Sequence, residues 1–164
     1  MIALVDAGNS RIKWAFSCVD CNDSSELNGV CSAFYGRPDK RRASLTEILE
    51  STWTAYASPT RVLVSNVGGD DVENTLTRWI ADNWKIVPEF VCSSKKGWGV
   101  TNAYAHPGEL GVDRWVGLVA AYKTLNNACC IVDAGTAVTV DALDQRGQHR
   151  GGVILPGLAL MRRS

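Results

Sequence analysis

The sequence predicts an α/β protein built from two related lobes, and three observations predict it. Strand-like runs and helix-like runs are interleaved along the chain rather than segregated. Of the 164 residues 46% are apolar, enough for one ordinary core or two small ones and too many for a disordered chain. A six-residue device occurs twice: Leu4-Val5-Asp6-Ala7-Gly8-Asn9 and Ile131-Val132-Asp133-Ala134-Gly135-Thr136 share the scheme apolar, Val, Asp, Ala, Gly, small polar. The copies lie 127 positions apart, too far for a solenoid and suited to a pair of lobes, with the boundary expected at 126/127 and a short second lobe over 127–164.

The elements follow in order. Met1 to Asp6 is apolar and ends in a carboxylate, Ala7 to Ser10 is a turn signal, and Arg11 to Phe16 alternates polar with apolar, which together predict a β-hairpin. A strand is expected at Val30 to Tyr35 within a polar stretch that closes on the basic run Arg37 to Arg42, read as a solvated loop. Ser44-Leu45-Thr46-Glu47 and Asp70-Asp71-Val72-Glu73 have the capping-box pattern and open helices towards Thr52 and Trp84. Arg61 to Val67 reads as a buried strand and Ile86 to Cys92 as another. Pro107 to Leu125 predicts a helix with Leu110, Val116, Val119, Ala120 and Tyr122 turned to the core; strands follow at Ala128 to Asp133 and Val138 to Leu143.

Composition excludes several classes. Lys plus Arg is 17 and Asp plus Glu is 17, so no basic excess points to nucleic acid or to an anionic membrane surface. The chain starts without a basic leader and has no apolar run near the ~18 residues a membrane span needs, so it reads as cytoplasmic. The six cysteines are expected as free thiols; Cys18-Val19-Asp20-Cys21 has metal-site spacing but lacks a second pair. The six tryptophans are expected in packing.

A strand that ends in Asp and turns through Gly puts a carboxylate for a hydrated metal ion beside exposed backbone N–H groups, the tools of phosphate and magnesium binding. Asn9 and Thr136 add a polar group to each turn, and Lys13 lies on the face opposite Ile12, Trp14 and Phe16. One copy alone reads as an ordinary tight turn with an Asx hydrogen bond; the second copy favours the phosphate reading. Other phosphate motifs are absent: there is no Gly-x-x-x-x-Gly-Lys-Ser/Thr, and Gly97-Trp98-Gly99 lacks the third glycine of a dinucleotide fingerprint because position 102 is Asn. Neither histidine has a nucleophile-elbow context.

Asp6-x-Gly8-Asn9-Ser10, Gly111-x-Asp113-Arg114, Asp133-x-Gly135-Thr136-Ala137 and Gly151-Gly152-x-Ile154-x-Pro156-Gly157 occur in this order. The set resembles the type III pantothenate kinases, also called the Bvg accessory factor family, of the actin-like and sugar-kinase superfamily. The resemblance implies duplicated actin-like (ribonuclease-H-like) lobes with mixed sheets and flanking helices. It also implies ATP-dependent phosphorylation of pantothenate to 4′-phosphopantothenate, the first step of coenzyme A synthesis.

By that resemblance Asp6 is the magnesium-associated carboxylate, Gly8, Asn9, Ser10 and Lys13 cradle the ATP phosphates, and Thr136 belongs to the second phosphate hairpin. Asp113 is the general base, in the first turns of a helix that favours its ionised form. Arg114 suits the substrate carboxylate, Tyr104 and Gly111 line the pantothenate pocket, and Asp133 holds a monovalent cation, K+ or NH4+. Gly151 to Gly157 reads as a loop that lets the backbone approach the nucleotide, with Pro156 at a helix start; the alternative is a strand connection. The resemblance further implies a homodimer with the pocket at its interface. Members of the family continue past position 164, so the second lobe is expected to be incomplete here, and a non-catalytic fragment or regulatory accessory factor is the alternative function.

Overall fold

The computed structural model describes residues 1–17, 28–35 and 43–162. They form two compact units, Met1–Val91 and Cys92–Ser164. Cys18, Cys21 and the basic run 37–42 lie outside the described residues.

In the first unit β1 (Ile2–Ala7) and β2 (Arg11–Ser17) form the expected hairpin, with Asp6 opposite Lys13 and Ala7 opposite Ile12. β3 (Asn28–Phe34) adds antiparallel to β2, and β4 (Arg61–Asn66) lies parallel to β1. β5 (Glu89–Phe90) completes a mixed sheet in the order β3-β2-β1-β4-β5. The strand expected over Ile86 to Cys92 shrinks to these two residues because Lys85 is left-handed and Pro88 has no N–H to give to a ladder.

Helix α1 (Leu45–Thr52) starts on a complete capping box: Ser44 Oγ accepts from the Glu47 backbone N–H, and Glu47 Oε2 accepts from the Ser44 N–H at 2.7 Å. The same pattern before α2 (Asp70–Trp84) forms no box. Gly69, at φ 89°, is the N-cap residue, and the side chain of Asn66 holds the loop by accepting from Gly68 N–H and donating to the Gly69 carbonyl. Asp70, Asp71 and Glu73 therefore sit in the first turn, where they face the positive end of the helix. Leu76, Ile80, Leu49, Val62 and Val64 make the core with an aromatic cluster in which Trp53 and Trp84 stack at 5.1 Å. Trp14, Trp53, Trp79 and Trp84 are buried there, as expected of packing residues; Trp98, in the other unit, is exposed.

In the second unit a small hairpin, β6 (Lys96–Gly97) and β7 (Val100–Thr101), precedes α3 (Val112–Leu125). β8 (Cys129–Ala134), β9 (Ala137–Leu143) and β10 (His149–Pro156) form an antiparallel sheet in the order β10-β9-β8. The boundary expected at 126/127 falls inside this unit, because Trp115 and Leu118 of α3 share one core with Val100, Leu110 and Leu143.

Three local expectations are corrected here. The helix expected from Pro107 is first a 3-10 turn, Pro107–Glu109; Leu110 is extended and α3 begins only after Gly111. Val116 and Ala120 are exposed, since the buried stripe of α3 runs through Val112, Trp115 and Leu118. Gly151 to Pro156 is strand rather than nucleotide loop, with a bulge between His149 and Gly152 where Gly151 takes φ 99°. Pro156 ends that strand, and Gly157 caps the short helix α4 (Leu158–Met161).

Candidate active site

The first group of candidate residues is brought together by the β1–β2 hairpin. Alternation sends Ile12, Trp14 and Phe16 inward and leaves Asp6 and Lys13 half-exposed on the opposite face, with Lys13 Nζ 3.0 Å from Asp6 Oδ2. The turn is closed by Gly8 N–H donating to the Arg11 carbonyl at 2.9 Å. Just past β3, Tyr35 donates its backbone N–H to the Ser10 carbonyl at 3.1 Å and its hydroxyl to the Gly8 carbonyl. Burial, with a smaller contribution from the Asp6 charge, raises the Tyr35 phenol above its ordinary value. Asn9 is exposed at the tip.

The second copy of the device is also a hairpin. Gly135 N–H donates to the Ala137 carbonyl, Asp133 lies opposite Thr139, and Gly157 N–H donates to the Thr136 carbonyl. A Cβ on Gly157 would reach the Thr136 carbonyl carbon at 2.8 Å, so a glycine is required where β10 meets this turn. Asp133 and Thr136 are exposed.

The second group gathers at the start of α3. Asp113 Oδ1 accepts the Arg114 backbone N–H at 2.7 Å, and a Cβ on Gly111 would lie 2.6 Å from that oxygen, so glycine at 111 leaves the carboxylate its place. Arg114 is buried, and the bidentate edge expected for a substrate is occupied from within: Nε and Nη2 donate to Asp141 Oδ2 and Oδ1 at 2.8 and 2.6 Å, while Nη1 donates to the Tyr104 hydroxyl at 3.1 Å. Asp141, above all, raises the guanidinium further beyond its ordinary value. His149, also buried, has Nε2 2.8 Å from Asp141 Oδ1.

Sequence reasoning missed Asp141 and His149. The signal was present in Val138 to Leu143, whose alternation puts Asp141 in phase with Leu143 and so carries a carboxylate inward. Among the described residues no group of three or more His, Cys, Asp or Glu side chains is placed to hold a metal ion. The Asp6 carboxylate is half-exposed and is the acidic side chain of the first hairpin. No helix among the described residues is long and apolar enough to cross a membrane.

A model of the type III pantothenate kinase family matches residues 2–164. The chain belongs to this family. Type III pantothenate kinases of Nitrosococcus oceani and Nitrosospira multiformis are 42% and 37% identical to it, over 98% and 99% of this chain and 59% and 57% of theirs. The chain thus spans somewhat under two-thirds of the length of these curated relatives.

Among solved structures, an Aquifex aeolicus member of the Ppx/GppA family matches with a TM-score of 0.53 at 11% identity, over 99% of this chain and 53% of that one. A putative 2-dehydro-3-deoxygalactonokinase from Sinorhizobium meliloti matches with 0.50 at 14%, over 94% and 53%. These likenesses concern the fold, which is actin-like, as the family resemblance implied.

Proposed function

We propose that this type III pantothenate kinase chain carries the machinery for transferring the γ-phosphoryl group of ATP to the primary hydroxyl of pantothenate, yielding 4′-phosphopantothenate and ADP. The observation that carries the reading is the Asp113 carboxylate at the start of α3, held by the Arg114 N–H and bordered by a glycine that leaves it room.

Transfer forms a bond from the pantothenate hydroxyl oxygen to the γ-phosphorus and breaks the bond from that phosphorus to the β,γ-bridging oxygen. Asp113 orients the hydroxyl and takes its proton as the bond forms. Gly8, Asn9 and Ser10 offer the β1–β2 turn to the phosphates, with Lys13 supplying positive charge beside them and Thr136 a second polar turn. Asp6 would hold Mg2+, which when bound neutralises phosphate charge. Asp133 would hold K+ or NH4+ through its exposed carboxylate. Tyr104, Gly111 and Arg114 would line the pantothenate pocket. The family reading further makes the protein a cytoplasmic homodimer, and the balance of 17 basic against 17 acidic residues offers no basic excess for a nucleic-acid or anionic-membrane partner.

The test is mass-spectrometric detection of 4′-phosphopantothenate after incubation with ATP, Mg2+, pantothenate and either K+ or Na+. Product that depends on K+ and disappears in Asp113→Asn is expected. ATP binding without product would instead favour a non-catalytic accessory role.

A further inference from the structure

The buried cluster around Arg114 joins Tyr104, α3, β9 and β10 through side chains that the reaction does not itself use. Asp141 accepts from Arg114 Nε and Nη2, and its Oδ1 is also the partner of His149 Nε2. Because an ionised carboxylate only accepts, Nε2 carries the proton, and Nδ1 is left to face the Ala103 N–H at 3.5 Å. The His149 ring lies near parallel to Tyr104, with centroids 6.2 Å apart.

The fit extends to the backbone. A Cβ on Gly152 would fall within contact distance of the Asp141 carboxylate and lie 2.7 Å from Arg114 Nη2. The bulge that places Gly152 there thus makes room for the ion pair.

A guanidinium has five N–H groups, and the described residues use three: one on Nε, one on Nη2 and one on Nη1. One N–H on each of Nη1 and Nη2 is left over, and adjacent nitrogens of this kind match a carboxylate. A buried ion pair is an expensive way to fill a core, since apolar side chains of similar volume stabilise as well or better. Its use here is directional, as it fixes which edge of the guanidinium is occupied.

We infer that Asp141 and His149 are positioning residues for pantothenate: they hold Arg114 side-on against β9 and β10, so that its remaining Nη1 and Nη2 donors and the Tyr104 hydroxyl are set for the substrate's carboxylate end. The inference rests on the pantothenate reading of the site.

The test measures pantothenate and ATP binding by calorimetry for the unsubstituted chain, Asp141→Asn, His149→Phe and His149→Gln, each checked for folding by circular dichroism. His149→Phe keeps a ring and loses the bond to Asp141, and it remains informative if Asp141→Asn, which strands a buried charge, does not fold. Pantothenate affinity is expected to fall roughly 10- to 100-fold in Asp141→Asn and His149→Phe, with ATP affinity within about twofold of the parent. His149→Gln, whose amide can still donate to Asp141, should recover part of the loss. Folded variants that bind pantothenate like the parent would overturn the positioning role alone. A parent chain that binds no pantothenate would remove the functional reading and this inference together.

Discussion

Lys13 and Asp6 face each other across the β1–β2 ladder at 3.0 Å, whereas at the matching place in the second hairpin Asp133 faces Thr139. The repeated device is therefore unequal in charge: only its first copy sets an ammonium group beside the carboxylate. An exposed pair of this kind contributes ~0–1 kcal/mol to stability, and under the proposed function Lys13 faces the ATP phosphates.

Lys13→Met should accordingly leave the melting temperature within about 3 °C of the parent while ATP affinity falls about tenfold or more. Scanning calorimetry and ATP titration read the two quantities. A large drop in melting temperature with ATP binding intact would make Lys13 a structural residue.

Gly152→Ala should destabilise the chain by about 1–3 kcal/mol, because the added methyl group meets the Asp141 carboxylate, the Val140 carbonyl and Arg114 together. Urea unfolding measures it. The neighbouring Gly151, with open space around its Cβ direction, is under conformational rather than steric constraint, so Gly151→Asn should cost less than Gly151→Val.

Tyr35 makes stability depend on alkaline pH. Its phenol is raised in the fold above the ordinary 10.0, first by burial and then by Asp6. The unfolded chain therefore releases this proton first. The stabilisation is complete below pH 10 and is lost as pH rises from there through the folded value. Urea midpoints measured from pH 8 upward should fall more steeply in the parent than in Tyr35→Phe, and parallel curves would remove Tyr35 as the cause.

Ser44→Ala should cost about 1 kcal/mol, since it removes the acceptor of a capping box that is formed on both sides. Asp70→Ala, in the same sequence pattern, should cost only a few tenths of a kcal/mol, because Gly69 occupies the cap and Asp70 acts through the helix dipole. Equal losses in chemical denaturation would contradict the difference seen between the two helix starts.

Much of this was legible in the chain. The hairpin Met1 to Phe16 was readable because one strand alternates and the turn is spelled by Gly8 and Asn9, both local signals. The α2 stripe of Leu76, Trp79 and Ile80 was readable for the same reason. The order of motifs containing Asp6, Asp113 and Asp133 led to the family that the comparison with relatives then established. Local pattern misled where competing backbone constraints won: Gly69 displaced Asp70 as the cap, and Pro88 shortened a strand that composition alone had made longer.

The amino-acid sequence by itself determined the α/β class, the two Asp-Gly hairpins and the polar residues that sit in their turns, because each depends on neighbours within a few positions. Only the tertiary structure decided that α3 belongs with the strands that follow it, that Gly152 serves an ion pair, and that Arg114 is already held by Asp141 and accompanied by His149. Those relationships join residues 27 or more positions apart or cross a strand bulge, where a buried charge must find its partner in space, and no local pattern specifies which partner that is.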